Sequence, residues 1–329
     1  MRRATTYAQD YNRYKRLVEN SLAGFIKEAD PRSLYEPLKY VLDAGGKRIR
    51  PVLLLLSCEA VGGTAGNALR ASIAVEILHN FTLVHDDIMD HAGSRRGRTT
   101  VHVKWDANVA ILVGDELLAL AYRALLQTKS PNIQKIAKIF TEGVVEVCEG
   151  QAYDKEFETR PIVQVKDYIL MIEKKTAKMV AVAAEIGALV GNGSPAKIVA
   201  LRRYGEHVGR AFQIQDDLLD IVGEEKELGK AVGGDLIEGK KTFLLLEALR
   251  CARGRDKEML HAVVRNKGGS PDLIPEYRRI YFETGAIDAA RRRIGEDIGK
   301  AKRELHRLPS TRARAMLEWF AEMLLHRTY

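Results

Sequence analysis

Phe81-Thr82-Leu83-Val84-His85-Asp86-Asp87-Ile88-Met89-Asp90 and Ala211-Phe212-Gln213-Ile214-Gln215-Asp216-Asp217-Leu218-Leu219-Asp220 decide how this chain is read. Each stretch runs from apolar residues into an Asp-Asp-x-x-Asp cluster. On a helix the first and last aspartates of a cluster share a face, so Asp86 pairs with Asp90 and Asp216 with Asp220. Three carboxylates packed this closely repel one another. Both clusters also lie just before a glycine, Gly93 or Gly223, where a helix stops and its dipole disfavours negative charge. A positive group must offset them. Carboxylate oxygens without cysteine or paired histidine at ligand spacing suit magnesium, which keeps waters and takes further oxygens from substrate phosphates.

Working outward, nine prolines punctuate a 329-residue chain that is 46% hydrophobic. The long proline-free intervals, Pro51 to Pro131 and Pro195 to Pro271, carry helix-type spacing such as Ile111, Leu112, Asp115 and Leu118. No Asn-Gly hairpin lies between alternating β-branched residues. Breaks are expected at Gly62-Gly63-Thr64, Lys129-Ser130-Pro131, Gly191 to Pro195 and Lys267 to Pro271. With no repeat and no dividing linker, the reading is an all-α bundle of about a dozen helices around a deep central cavity, one domain over 1–329. No apolar run is long enough to span a membrane, and the basic start lacks an apolar signal region. Cys58, Cys148 and Cys251 are isolated, as in a reducing cytoplasm. The net charge of +8 invites a nucleic-acid partner, but aromatics make up 7% and do not interleave with the basic residues, so none is expected. Arg291-Arg292-Arg293 reads as a solvated helix face.

Other basic residues flank the aspartates. Gly45-Gly46-Lys47-Arg48-Ile49-Arg50-Pro51 opens a helix. Its two glycines leave room for an anion, the helix start offers free N–H groups, and Lys47 and Arg50 add charge. Arg95-Arg96-Gly97 follows the first cluster, and arginine gives bidentate contacts to phosphate. Lys174-Lys175-Thr176 falls in a helix with Met171 and Met179 beneath it. Lys230, Gly233-Gly234-Asp235 and Gly239-Lys240-Lys241-Thr242 follow the second cluster, a succession that suits a flexible cationic lid and equally a surface loop. The whole describes a pocket for two diphosphates with apolar tails, one read through magnesium and one directly by Lys, Arg and His79.

At these residues, about 200 positions from Gly45 to Lys241, the chain resembles the trans-isoprenyl diphosphate synthases, the farnesyl and geranylgeranyl diphosphate synthase family. The resemblance implies the all-α isoprenoid synthase fold, usually as a homodimer, and condensation of isopentenyl diphosphate with an allylic diphosphate. It implies three magnesium ions, with Asp86 and Asp90 ligating two, Asp216 the third, and Asp87, Asp217 and Asp220 in support. Arg95, Lys175, Lys230 and Lys240 would hold the allylic diphosphate, and Lys47, Arg50, His79 and Arg96 the isopentenyl diphosphate. Lys175, Thr176 and Gln213 would stabilise the developing cation. The family commonly has proline where Thr99 stands, so the turn after the arginines is expected to be looser.

The product tail should run from Asp86 toward the start of its helix, where Phe81 lies about 7.5 Å away at about 1.5 Å per residue. Leu78 and Ala74 follow one and two turns deeper, and Thr82 leaves a gap beside the ring. A single aromatic at Phe81 resembles the short-chain synthases that make C20 products, so geranylgeranyl diphosphate is expected ahead of farnesyl diphosphate or longer polyprenyl products. A terpene cyclase would lack the Gly-Gly-Lys-Arg site. A phosphohydrolase of the His-Asp type, suggested by His85-Asp86, would need more histidine ligands. A non-catalytic regulatory subunit would usually have lost one acidic cluster, and both are intact here.

Overall fold

The structure, a computed structural model, describes residues 2–25, 29–223 and 232–325. It is all-α apart from one two-residue ribbon. Helices α1 (Arg2–Phe25), α2 (Arg32–Leu42), α3 (Ile49–Ala60) and α4 (Ala65–Met89) lead to strands β1 (Ser94–Arg95) and β2 (Arg98–Thr99). Then come the single turn α5 (Val101–Lys104), α6 (Ala107–Leu126), α7 (Ile133–Thr159), α8 (Val165–Ile172), α9 (Lys178–Val190) and α10 (Pro195–Val222). The single turn α11 (Gly234–Ile237) precedes α12 (Phe243–Cys251), α13 (Gly254–Arg265), α14 (Ile274–Glu283), α15 (Ala286–Leu305) and α16 (Arg312–Leu325). The breaks expected from glycine and proline fall between these helices, with Pro195 opening α10 as its first residue.

Backbone contacts divide the chain into two compact units. The first comprises Met1–Phe140, Ala183–Leu201 and Leu308–Leu317; the second comprises Thr141–Val182, Arg202–Arg307 and Glu318–Tyr329. Nothing in composition marks this division, because no linker carries it.

The first unit is built on α3, where Val52, Leu53, Leu54, Leu55 and Leu56 are all fully buried. A helix apolar on every side belongs inside a core. Helix α4 packs against both α3 and α6. It begins at Thr64, whose hydroxyl accepts the Asn67 N–H. It ends in a Schellman turn: Ala92 N–H donates to Asp87 O, His91 N–H donates to Ile88 O, and His91 takes the left-handed position at φ 50°. The helix therefore stops before Gly93, and Asp86, Asp87 and Asp90 occupy its last turn and cap.

The second unit centres on Tyr168, Tyr204, Leu244, Ile280, Tyr281 and Phe320, each 2% exposed or less. Between α8 and α9 the chain makes a five-residue π-helix, Glu173–Ala177, where an ordinary helix was expected. Two glycines let neighbouring backbones reach it. A Cβ on Gly150 of α7 would stand 2.3 Å from Lys175 N, and one on Gly209 of α10 would stand 2.4 Å from Ala177 Cα. A wide turn pressed from both sides is typical of π-bulges at functional sites.

Arg293 corrects the solvated-face reading of the basic run on α15. Its Nε donates to Asp297 at 3.0 Å, and that carboxylate is fully buried. Arg291, which pairs at 3.5 Å with the exposed Asp288, does lie on the outer face.

Candidate active site

In the first unit, the turn that ends α4 presents Asp86 and Asp90 half-buried and turns Asp87 inward. Arg95 Nε lies 2.5 Å from Asp87 Oδ1. Burial pushes the Asp87 carboxyl up from its usual range, and the Arg95 charge and hydrogen bond oppose that rise. Arg95 is held by a tight hairpin, with Ser94 opposite Thr99 and Arg95 opposite Arg98. Arg96 (φ 52°) and Gly97 (φ 72°) form its two-residue turn, as a type I′ turn requires. Where a looser turn was expected at Thr99, that residue stands paired opposite Ser94 in the ribbon. Tyr40 OH also donates to Thr99 O at 2.8 Å.

The same hairpin delivers Arg96 to the Gly-Gly-Lys-Arg loop. Its Nη1 donates to Gly45 O, and a Cβ on Gly46 would stand 3.0 Å from that nitrogen. The space beside Gly46, expected to admit an anion, is filled by the Arg96 guanidinium. Arg48 points the other way: it is buried, with Nη1 2.5 Å from Glu76 Oε1. Lys47 is exposed and Arg50 is half-buried, with Nη1 3.2 Å from His79 Nε2. Arginine only donates, so His79 Nε2 accepts and the ring is neutral. Burial, then the charges of Arg50, Arg96, Arg95 and Arg48, hold the His79 pKa well below its ordinary value. His79 therefore supplies a hydrogen bond here and no charge.

Below Asp86 on α4, Leu78 and Phe81 are buried. Thr82 is half-buried and bends its hydroxyl back to His79 O at 2.8 Å.

In the second unit the π-helix and α10 share a chain of polar contacts. Thr176 Oγ1 donates to Gln213 Oε1 at 2.9 Å, Gln213 Nε2 donates to Asp217 Oδ1 at 3.0 Å, and Tyr168 OH donates to Asp217 Oδ2 at 2.5 Å. Asp217 is buried, and burial followed by the Asp235 charge pushes its carboxyl up to about 8, against the hydrogen bonds from Tyr168 and Gln213. The buried Asp220 accepts the Asp235 N–H at 3.0 Å. Lys175 Nζ reaches Asp154 Oδ2 at 2.5 Å, and Lys240 lies 2.8 Å from Glu238 and 3.7 Å from Asp235. Lys241 is buried and donates to the carbonyls of Phe157 and Arg160, so it ties the segment to the end of α7. Of these, Asp154, Tyr168, Lys175, Thr176, Gln213, Asp217, Asp235, Lys240 and Lys241 line a cavity of about 110 Å³. Lys230 lies outside the described residues.

The structure thus brings Thr176, Gln213 and Asp217 together and gathers Lys175 and Lys240 around the same cavity. It gathers Arg50, His79, Arg95 and Arg96 in the first unit. Sequence reasoning missed Asp154, Tyr168 and the role of Asp235. The only local signal for Asp154 was its place one turn after the helical Gly150.

The donor set fits magnesium. Every candidate ligand is a carboxylate oxygen, the donor that magnesium takes. Among the described residues no group of three or more His, Cys, Asp or Glu closes around a metal by itself.

Comparison with known proteins agrees. The Polyprenyl synthetase family matches residues 31–280. A short chain isoprenyl diphosphate synthase of Methanothermobacter thermautotrophicus is 39% identical over 318 residues, 96% of this chain and 97% of that protein. The crystal structure of a geranylgeranyl pyrophosphate synthetase from Pyrococcus horikoshii superposes with a TM-score of 0.91 at 36% identity, covering 98% of this chain and 99% of the other. A polyprenyl synthase from Caulobacter crescentus, solved with calcium and isoprenyl diphosphate, gives 0.86 at 30% identity, covering 100% and 97%. The chain belongs to the polyprenyl synthetase family of trans-prenyltransferases, and its fold is the isoprenoid synthase fold. Among the described residues no helix is long and apolar enough to cross a membrane.

Proposed function

We propose that this chain condenses isopentenyl diphosphate with allylic diphosphates of C5 to C15 and releases geranylgeranyl diphosphate. The observation that carries the reading is the pairing of each acidic turn with fixed cations: Arg95 and Arg96 in a hairpin at the first, Lys175 and Lys240 around one cavity at the second. In this reading 1–329 works as a single domain, and both acidic turns serve one reaction.

Asp86 and Asp90 would hold two magnesium ions and Asp216 a third; bound there, magnesium neutralises a diphosphate and makes it a better leaving group. Asp87, Asp217 and Asp220 support these ligands, Asp87 through Arg95 and Asp217 through Tyr168 and Gln213. Arg95, Lys175, Lys230 and Lys240 bind the allylic diphosphate. Lys47, Arg50 and Arg96 bind isopentenyl diphosphate by charge, and neutral His79 adds a hydrogen bond. Once the allylic C–O bond ionises, the Thr176 hydroxyl oxygen, whose proton is committed to Gln213, the Gln213 amide oxygen and the Lys175 carbonyl offset the cation's charge. Apolar walls keep water from it. The isopentenyl alkene then attacks, and the proton leaves to the departing diphosphate.

Two measurements check the subsites. Lys47→Ala and Arg50→Ala should raise KM for isopentenyl diphosphate about tenfold or more, a loss of one charge-assisted contact, and leave KM for the allylic primer nearly unchanged. Arg95→Ala should do the reverse. Equal rises in both constants for all three variants would replace the two subsites by one shared anion site.

A homodimer is part of the proposal, supported by the exposed Ile111, Leu112 and Leu126 on α6, and light scattering reads it directly. A cytoplasmic setting is supported by three cysteines that are in no disulfide.

A further inference from the structure

His85 stands next to the first acidic cluster, yet the reaction described above assigns it nothing. Its imidazole takes the space beside Gly114 of α6 that a side chain there would need. A Cβ placed on Gly114 would fall 2.1 Å from His85 Nε2, 2.4 Å from Cδ2 and 3.0 Å from Cε1, so any side chain at 114 would occupy the ring's position. Nε2 lies 3.4 Å from Ile111 O, a long contact that holds the ring only weakly. The imidazole also meets Phe81. The two rings meet edge-on with centroids 4.8 Å apart and planes at 62°. Phe81 and His85 are four residues apart on α4, and helical side chains lean toward the N-terminus, so the His85 ring bears on Phe81. Phe81 is 8% exposed.

We propose that Gly114 and His85 are positioning residues for product length, because together they fix the Phe81 ring that closes the path of the growing chain. This rests on the reading of Phe81 as the floor of that path. Gly114 lets the imidazole sink onto α6. The imidazole in turn presents an edge against which Phe81 has one packed position. A side chain at 114 must drive the imidazole toward Phe81, whereas removal of the imidazole gives Phe81 room to swing back toward α6.

The test compares the products of His85→Ala, Gly114→Ala, Phe81→Ala and the double variants His85→Ala/Phe81→Ala and Gly114→Ala/Phe81→Ala. Each is incubated with isopentenyl diphosphate, magnesium and a C15 primer. Phe81→Ala should move the main product at least one C5 unit longer. His85→Ala should move it in the same direction, and Gly114→Ala should move it toward shorter products. Neither substitution should alter the distribution further once Phe81 is alanine. A general structural defect would lower the yield without moving the length distribution. If Phe81→Ala lengthens the product while His85→Ala, the variant that adds no bulk to the α4–α6 contact, leaves it at the wild-type length, the positioning role is overturned and the floor stands. If Phe81→Ala leaves the length unchanged, the floor itself is wrong and the positioning role goes with it. Shifts that persist with Phe81 removed would also overturn the proposal.

Discussion

Asp86→Ala and Asp216→Ala should each lower kcat by about a thousandfold or more while leaving the fold intact. Loss of a metal-ligating carboxylate forfeits several kcal/mol of stabilisation of the leaving diphosphate, and each ~1.4 kcal/mol is a factor of ten in rate. Stability should move the other way or not at all. Both residues are half-buried beside another buried carboxylate, Asp87 or Asp217, and the Asp217 carboxyl is pushed up to about 8 by burial and its acidic neighbours. Removing one charge from such a cluster relieves repulsion in metal-free buffer. Circular dichroism and thermal melting without metal should therefore match or exceed wild type, while the gain in Tm on adding magnesium with a diphosphate should shrink. A variant that keeps near wild-type turnover would end the assignment of that carboxylate to the metal.

Asp297→Ala should cost about 3 kcal/mol of stability, the lower end of what breaking a buried ion pair costs. Asp297 is fully buried on α15 and accepts from Arg210 Nη2 at 2.8 Å and Arg293 Nε at 3.0 Å, with His207 Nδ1 3.1 Å away. Arg210 reaches on to Glu173 at 3.0 Å, the residue that opens the π-helix. Without the carboxylate, Arg210 loses the acceptor of both its Nε and its Nη2 and keeps Glu173, in a side chain 12% exposed. Asp297→Asn, which retains an acceptor, should cost less. Burial alone would raise the Asp297 pKa, but the contacts with His207 and Arg210, the Arg210 charge and Arg293 outweigh it and hold the carboxyl well below its usual range. A depressed acid pKa means stability that is present above the unfolded carboxylate pKa and is lost as pH falls through the folded one. The stability difference between wild type and Asp297→Asn, read from denaturant midpoints, should therefore be full near neutral pH and narrow progressively below about pH 4. A difference independent of pH in that window would show that the carboxylate charge contributes nothing.

The acidic turns were legible because charge spacing and helix-stopping glycines are local signals. Asp86 to Asp90 and Asp216 to Asp220 could be placed at helix ends from a few neighbouring residues. Contacts made across the chain left no such trace. The π-helix at Lys175 depends on Gly150 and Gly209, which lie on α7 and α10. Gly46 looked like room for an anion, and only the fold shows that Arg96 fills it. Arg293 read as solvated because its partner's burial is decided by helices outside its own. Tyr168 and Asp154 matter through Asp217 and Lys175, at separations of 49 and 21 residues. The division into two compact units was invisible for a related reason: it follows packing rather than composition.

The most direct test of the activity is mass spectrometry of the products formed from isopentenyl diphosphate, magnesium and each of three allylic primers, C5, C10 and C15. The account predicts that all three are extended and that all three converge on one main product, the C20 diphosphate. A hydrocarbon product, or no consumption of isopentenyl diphosphate, would contradict the prenyltransferase reading. A main product of C15, or of C25 and longer, would leave the chemistry standing and contradict Phe81 as the floor that stops growth at C20.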